Sequence, residues 1–272
     1  MEKLALCVGK NNYATSPLSG CVNDANDIAD RLEADKWKVI RLLNSDATVD
    51  NCERVLTDYA MFSKEMDGLM KSFWSNSSHG TDWMDVDGDE SEYDEAIYLD
   101  RVWIDDNICK VLQKFHPATD LGVLFDSCFS KTATRSEVIE STVSDAKPRY
   151  ISIMPIPITA VRRRRIARLP LSEMFWYHYA GCGDREYSYD AWFNGRPNGA
   201  MTYYFLKSLA DGREHKQVQD LIRQKLPSTM YPQTPDLEGS HEDKFLLGDT
   251  IIPTPTKLTC CERFKQWFKN NF

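Results

Sequence analysis

Leu121-Gly-Val-Leu-Phe-Asp-Ser-Cys-Phe-Ser130 is the stretch that decides the fold. Its first five residues form a short apolar run, and small polar residues follow at once, the pattern of a buried strand that ends at a functional edge. In open α/β sheets reactive groups collect at the carboxyl ends of strands. Cys128 therefore stands where chemistry is expected, and a second reactive side chain should lie at a neighbouring strand end.

Working outward, strand-like and helix-like segments alternate, which predicts a mostly parallel sheet covered by helices. Lys3–Val8 and Trp37–Leu43 read as strands, and a third should lead into Ser75–His79, at whose end His79 stands. Asn23–Asp35 reads as a helix with Ala25, Ile28, Ala29 and Leu32 on one face. Val49–Met61 repeats the pattern with Val55, Leu56 and Tyr59, and Asp105–Phe115 with Ile108, Val111, Leu112 and Phe115. Asp82–Glu95 reads as an acidic loop, Tyr150–Ile156 and Met174–Ala180 as strands, and Met201–Leu209 and Val218–Leu226 as helices. The domain is expected to occupy residues 1–250, with a larger part over about 1–160 and a smaller one over about 170–250. Residues 251–272 read as a Pro/Thr linker and a short amphipathic tail, with Cys260, Phe264, Trp267 and Phe268 on one side, a face that suits docking on the domain itself first, and a partner or a membrane surface as alternatives.

With 272 residues, 42% hydrophobic and 27% charged, the composition is that of a globular domain large enough for a substantial core. The net charge of -8 makes nucleic acid a poor partner and leaves cationic peptides or divalent cations as plausible ones. No apolar stretch reaches the ~18 residues needed to cross a bilayer, and Met1–Gly9 reads as a buried strand in place of a secretory leader. The eight cysteines contain no CxxC pair, so a zinc site on that spacing is not expected. A reduced, cytoplasmic setting with most thiols in the core is the corresponding expectation.

A cysteine nucleophile needs a base and donors for an oxyanion. His79 precedes Gly80, which lets the backbone approach closely, and the chain order is histidine first with the cysteine about 50 residues later, as in caspases and opposite to papain-like peptidases. Five further segments make the resemblance specific. They are Leu18-Ser-Gly-Cys-Val-Asn-Asp-Ala25, Ser77-Ser-His-Gly-Thr81, Asp85-Val-Asp-Gly-Asp-Glu-Ser-Glu-Tyr-Asp-Glu-Ala-Ile97, the Phe125–Arg135 stretch, and Asn198-Gly-Ala-Met-Thr-Tyr203 with Tyr231-Pro-Gln-Thr-Pro235. In this order they resemble the metacaspase and bacterial caspase-like branch of the caspase superfamily, over roughly residues 4 to 248.

The resemblance implies a caspase-like three-layer α/β sandwich with helices on both faces of a mostly parallel sheet. It implies a cysteine endopeptidase in which His79 is the base, Cys128 the nucleophile, and the N–H groups of Gly80 and Cys128 the oxyanion donors. Asp24 and Asp126 would line a pocket for Arg or Lys, with Ser77 at its rim; charge-assisted bonds from paired carboxylates suit such a side chain. Read singly, Asp24 also fits a helix-start carboxylate, and Asp126 a residue orienting the Cys128 loop. No cofactor is needed for the chemistry, but the resemblance places calcium ligands at Asp94, Asp105 and Asp106. Hard oxygen donors of this kind suit Ca²⁺. Arg135 and Asn107 depart from that ligand pattern, and Phe129-Ser-Lys131 departs from the residues usual after the cysteine. These departures leave a second reading open, a caspase-fold pseudoenzyme acting as a regulatory partner. Polypeptides with Arg or Lys at the cleavage site are the expected substrates and a monomer the expected state. Arg162–Arg165 with Arg168 reads either as a solvated loop or as a place where the enzyme cuts itself.

Overall fold

The computed structural model describes residues 1–84, 93–128, 146–153, 174–183, 186–239 and 244–248, the side chains at 84, 93 and 94 excepted. The Arg162–Arg168 run, Phe129 to Arg135 and the 251–272 tail lie outside the described residues.

Six strands form the central sheet. They are β1 (Glu2–Gly9), β2 (Lys38–Leu43), β3 (Met70–Ser77), β7 (Asp120–Asp126), β9 (Tyr177–Ala180) and β12 (Asp236–Gly239), in the order β12-β9-β7-β3-β1-β2. All neighbours run parallel except β12, which pairs antiparallel with β9. Parallel strands covered on both faces are apolar throughout, and β1 is buried along nearly its whole length. Its side chains nevertheless alternate. Leu4, Leu6 and Val8 pack with α2 (Val49–Glu65) and α3 (Asp105–Leu112). Ala5 and Cys7 join α1 (Cys21–Ala34), α4 (Ala200–Ser208) and α5 (His215–Arg223) on the other face. The result is the expected three-layer sandwich. Thr48 starts α2 by accepting the Asn51 N–H at 3.2 Å, a side-chain cap that satisfies one orphan donor.

Two small sheets stand beside the carboxyl edge of the large one. β4 (His79–Met84), β5 (Tyr93–Tyr98) and β6 (Val102–Ile104) form one antiparallel set. β8 (Lys147–Pro148), β10 (Tyr189–Phe193) and β11 (Arg196–Gly199) form the other. Here the structure corrects the sequence. Asp82 and Glu95 are not loop residues but face each other across a hairpin. On the β5 arm Ala96 and Ile97 are buried, and Ile97 joins the core.

The expected strand over Tyr150–Ile156 is absent from its described part, residues 150–153. The chain instead pairs two residues earlier, through Lys147 and Pro148, and forms a single bridge to β4 between Tyr150 and Gly80. His79, expected at the end of a strand, instead opens β4, two residues beyond the carboxyl end of β3. Among the described residues no helix is long and apolar enough to cross a membrane.

Candidate active site

β3 and β7 lie side by side, with Ser77 in register with Asp126. Their continuations therefore deliver His79–Gly80 and Ser127–Cys128 to one place. Contact between them is so close that a Cβ on Gly80 would stand 1.5 Å from the Cys128 carbonyl oxygen. Only glycine fits there.

His79 is buried, and Nε2 lies 2.7 Å from the Ser16 carbonyl oxygen. A carbonyl only accepts, so Nε2 carries the proton and Nδ1 presents a lone pair. Nδ1 is buried without a hydrogen-bond partner. Burial holds the imidazole below the ordinary histidine value, which favours the neutral ring, while backbone hydrogen bonding to Ser16 and Arg149 pulls the other way. Tyr13 fixes the ring from outside, with ring centroids 4.5 Å apart. Its hydroxyl accepts the His79 N–H at 3.2 Å and donates to the Tyr98 carbonyl at 2.7 Å. Nothing in the sequence pointed to Tyr13.

The Cys128 thiol is fully buried. It accepts the Ser188 N–H at 3.0 Å and donates to the Ser188 carbonyl at 3.4 Å. Burial pushes its pKa well above the ordinary thiol value, and the adjacent Cys182 thiol pushes in the same direction. In this state the sulfur is protonated.

The polar cavity beside the thiol is lined by Asp24, Asp126 and Asp190, all buried. Asp24 comes from the first turn of α1, Asp126 ends β7 and Asp190 lies in β10. Each carboxylate is oriented by its own donors. Asp24 accepts the Gly199 N–H at 2.9 Å and an Asn198 amide hydrogen at 3.1 Å. Asp126 accepts the Thr202 N–H at 2.8 Å and hydroxyl at 2.7 Å, and also the Ser188 hydroxyl. Asp190 accepts the N–H of Ser19 at 2.7 Å and of Gly20 at 2.9 Å. Gly199 admits this crowding, since a Cβ there would lie 2.1 Å from Asp126 Oδ2. Burial raises the pKa of Asp24 to about 6 against the pull of the cation inside the cavity.

That cation is Arg149. Its side chain is fully buried, with Nη2 2.6 Å from Asp24 and 3.0 Å from Asp190, and Nη1 3.3 Å from Asp126. Nη1 also donates to the Asp126 carbonyl at 3.0 Å. The Arg149 carbonyl accepts the N–H of Gly80 at 2.8 Å and of Cys128 at 3.4 Å. Asp190 and Arg149 were both missed from sequence. The available signal for Asp190 was a lone carboxylate inside the aromatic stretch Tyr187–Phe193.

Of the sequence candidates, His79, Gly80, Cys128, Asp24 and Asp126 thus converge. Ser77 is buried in β3 next to Asp126 in the ladder, and its carbonyl accepts the Lys10 N–H at 3.1 Å. Asp105 and Asp106 stand apart at the start of α3, where the Asp105 carboxylate accepts the Asp106 N–H at 2.9 Å. Asp94 faces Trp83 across the hairpin, its side chain outside the described residues. Among the described residues no three His, Cys, Asp or Glu side chains gather as a metal site.

The family model described as caspase domain matches residues 2–246. A metacaspase-1 of Cryptococcus neoformans is 29% identical over 88% of this chain and 63% of its own length. One from Meyerozyma guilliermondii is 26% identical over 88% of this chain and 70% of its own. The chain thus spans less than two thirds of the Cryptococcus protein. Among solved structures, a Geobacter sulfurreducens protein superposes with a TM-score of 0.69 at 21% identity, covering 91% of this chain and 98% of that one. Caspase-1 from Spodoptera frugiperda superposes at 0.55 and 11% identity, covering 88% of this chain and 87% of that one. These two likenesses concern the fold.

Proposed function

The chain belongs to the caspase-domain family, and from that premise we propose that it is a cysteine endopeptidase cutting after Arg or Lys. Cys128 is the nucleophile and His79 the base. The thiol proton passes to Nδ1 of His79, whose other nitrogen is tied to Ser16. Sulfur adds to the carbonyl carbon, and the N–H groups of Gly80 and Cys128 meet the developing oxyanion. The leaving amine takes the proton from Nδ1, and water then hydrolyses the thioester.

One observation carries the specificity: a guanidinium buried among Asp24, Asp126 and Asp190 while the carbonyl of the same residue lies against the N–H pair. Three anions in a site shielded from water favour Arg or Lys and repel the acidic residues that a cationic pocket would take. Both reactive side chains are retained, and the His79–Gly80 and Cys128 main chains meet closely; this supports catalysis over a purely regulatory role.

The test compares wild type with Cys128→Ala on fluorogenic peptides ending in Arg, Lys or Asp, each with calcium and with chelator. Turnover of Arg and Lys peptides by wild type alone is expected. Equal signals from both proteins remove the nucleophile, and cleavage only after Asp removes the pocket. The calcium arm decides whether Asp94, Asp105 and Asp106 act as an activating site.

A further inference from the structure

We infer that Gln233 is a positioning residue of the cleft: its amide holds the Ser188–Tyr189 segment, which clasps the Cys128 thiol and orients the pocket carboxylate Asp126. The inference rests on the peptidase reading and adds to it a residue that acts through Ser188.

Ser188 is the common support of nucleophile and pocket. Its N–H donates to Cys128 Sγ at 3.0 Å, and its carbonyl accepts the thiol hydrogen at 3.4 Å and the Arg149 N–H at 2.8 Å. Its hydroxyl donates to Oδ1 of Asp126. A residue bonded to both working groups must itself be fixed, because a misplacement of about 1 Å can cost ~10²-fold in rate. Strand β10 begins only at Tyr189, so Ser188 stands just outside its ladder.

Gln233 supplies the anchor, and its side chain is fully buried. Nε2 donates to the Gly181 carbonyl at 2.7 Å and to Ser188 Oγ at 3.4 Å, while Oε1 accepts the Tyr189 N–H at 3.2 Å. A carbonyl only accepts and an N–H only donates, so these partners settle which end of the amide is which. Ser188 Oγ receives a hydrogen from Gln233 and gives its own to Asp126, so the hydroxyl has one direction and its bond to the carboxylate is charge-assisted. Gly181 follows β9, and its N–H donates to the Phe125 carbonyl of β7 at 2.9 Å. One amide thus pins the start of β10 to the frame that carries Asp126 and Cys128.

Other bonds hold the segment around Gln233. Thr234 donates its N–H to Glu186, and its hydroxyl to the same carboxylate at 2.8 Å. The Pro235 carbonyl accepts from Gln219 at 2.6 Å and from Arg223 at 3.1 Å. Ser228 and Tyr231 close a turn on each other, with bonds of 2.9 and 3.0 Å. Its neighbours are fastened independently, and both ends of the Gln233 amide are directed at the cleft wall.

Three full-length variants test this. Gln233→Met keeps the length and removes the amide, Gln233→Asn keeps an amide that ends one methylene short, and Thr234→Val removes a fastening bond of the same segment. Each is assayed well below its melting temperature for kcat and KM on an Arg peptide, and for the pH profile of Cys128 alkylation by iodoacetamide. Both Gln233 variants should lose at least ~10-fold in kcat, a larger change than any rise in KM. Their alkylation profile should move to higher pH, because the Ser188 N–H that favours the thiolate is loosened. Thr234→Val should melt at lower temperature with kcat and profile unchanged. Gln233→Asn decides the matter if Gln233→Met fails to fold.

A folded Gln233 variant with kcat within ~3-fold of wild type and an unmoved profile would overturn the inference and leave the peptidase reading standing. An equal loss of kcat in Thr234→Val does the same, since the segment would then act only as a fastening. No turnover of Arg or Lys peptides by wild type, with or without calcium, removes the peptidase reading and this inference with it.

Discussion

Replacing Gly80 by alanine tests the reaction centre with a single methyl group. The new Cβ would stand 1.5 Å from the Cys128 carbonyl oxygen, 2.4 Å from its carbon and 3.0 Å from its nitrogen. Ordinary contact begins at 3.4 Å, so the oxygen must retreat by about 1.9 Å. All three obstacles are main chain, and no side-chain rotation relieves them. The two N–H groups at stake belong to these same residues, so a shift of that size spoils the 2.8 and 3.4 Å bonds to one carbonyl together. Loss of one such donor costs about 10²–10³ in kcat. Gly80→Ala should therefore lower kcat on an Arg peptide by at least ~10³, with the overpacking costing about 1–3 kcal/mol of stability. At ~2–4 °C per kcal/mol, the melting temperature should fall by about 2–12 °C. The measurements are steady-state kinetics and a thermal melt followed by circular dichroism. Should the variant retain kcat within ~3-fold of wild type, the N–H pair is not the site of charge stabilisation.

Asp24→Asn should reduce kcat/KM for Arg peptides by at least ~30-fold, since truncating one member of a buried charge pair costs about 2–5 kcal/mol; an unchanged value would place the guanidinium elsewhere. The same substitution should alter the pH dependence of stability on an uncut Cys128→Ala background. The folded pKa of Asp24, about 6, lies above its ordinary value of 3.8, so the folded state holds the extra proton between them. Wild type therefore loses stability relative to Asp24→Asn as pH rises from about 4 to 6, read by urea titration at each pH; a flat difference would contradict this. Thr48→Ala, which removes the cap of α2 far from the cleft, should cost about 1 kcal/mol in a melt and leave peptide turnover unchanged.

The fold was legible because burial acts on local pattern. β1 and β7 are apolar runs, and α1 and α2 carry their stripes at helical spacing, so a mostly parallel sheet covered by helices followed once strands and helices alternated. The meeting of the His79 and Cys128 segments was legible because His79-Gly80 and Asp126-Ser-Cys128 sit just past strand ends. What stayed hidden depends on distant segments meeting. Asp190 acquires its meaning only when β10 is laid against α1 and β7, and Tyr13 only when its loop reaches His79. Arg149 carried no local mark at all. The Arg162–Arg165 run drew attention by density of charge, whereas the pocket holds a single arginine chosen by position.

His79 takes its orientation from the Ser16 carbonyl, and that choice of partner has genetic and chemical consequences. A main-chain oxygen does not ionise in the working range, so the rate profile gains no extra proton-dependent limb from it. No codon change deletes it. The vulnerable element is the turn that aims it, because Ser16 sits at φ 58°, in the left-handed region. A β-branched residue resists that conformation and glycine accepts it. Variation at position 16 is thus filtered by backbone shape, and Ser16→Val should misdirect the imidazole while Ser16→Gly leaves it in service.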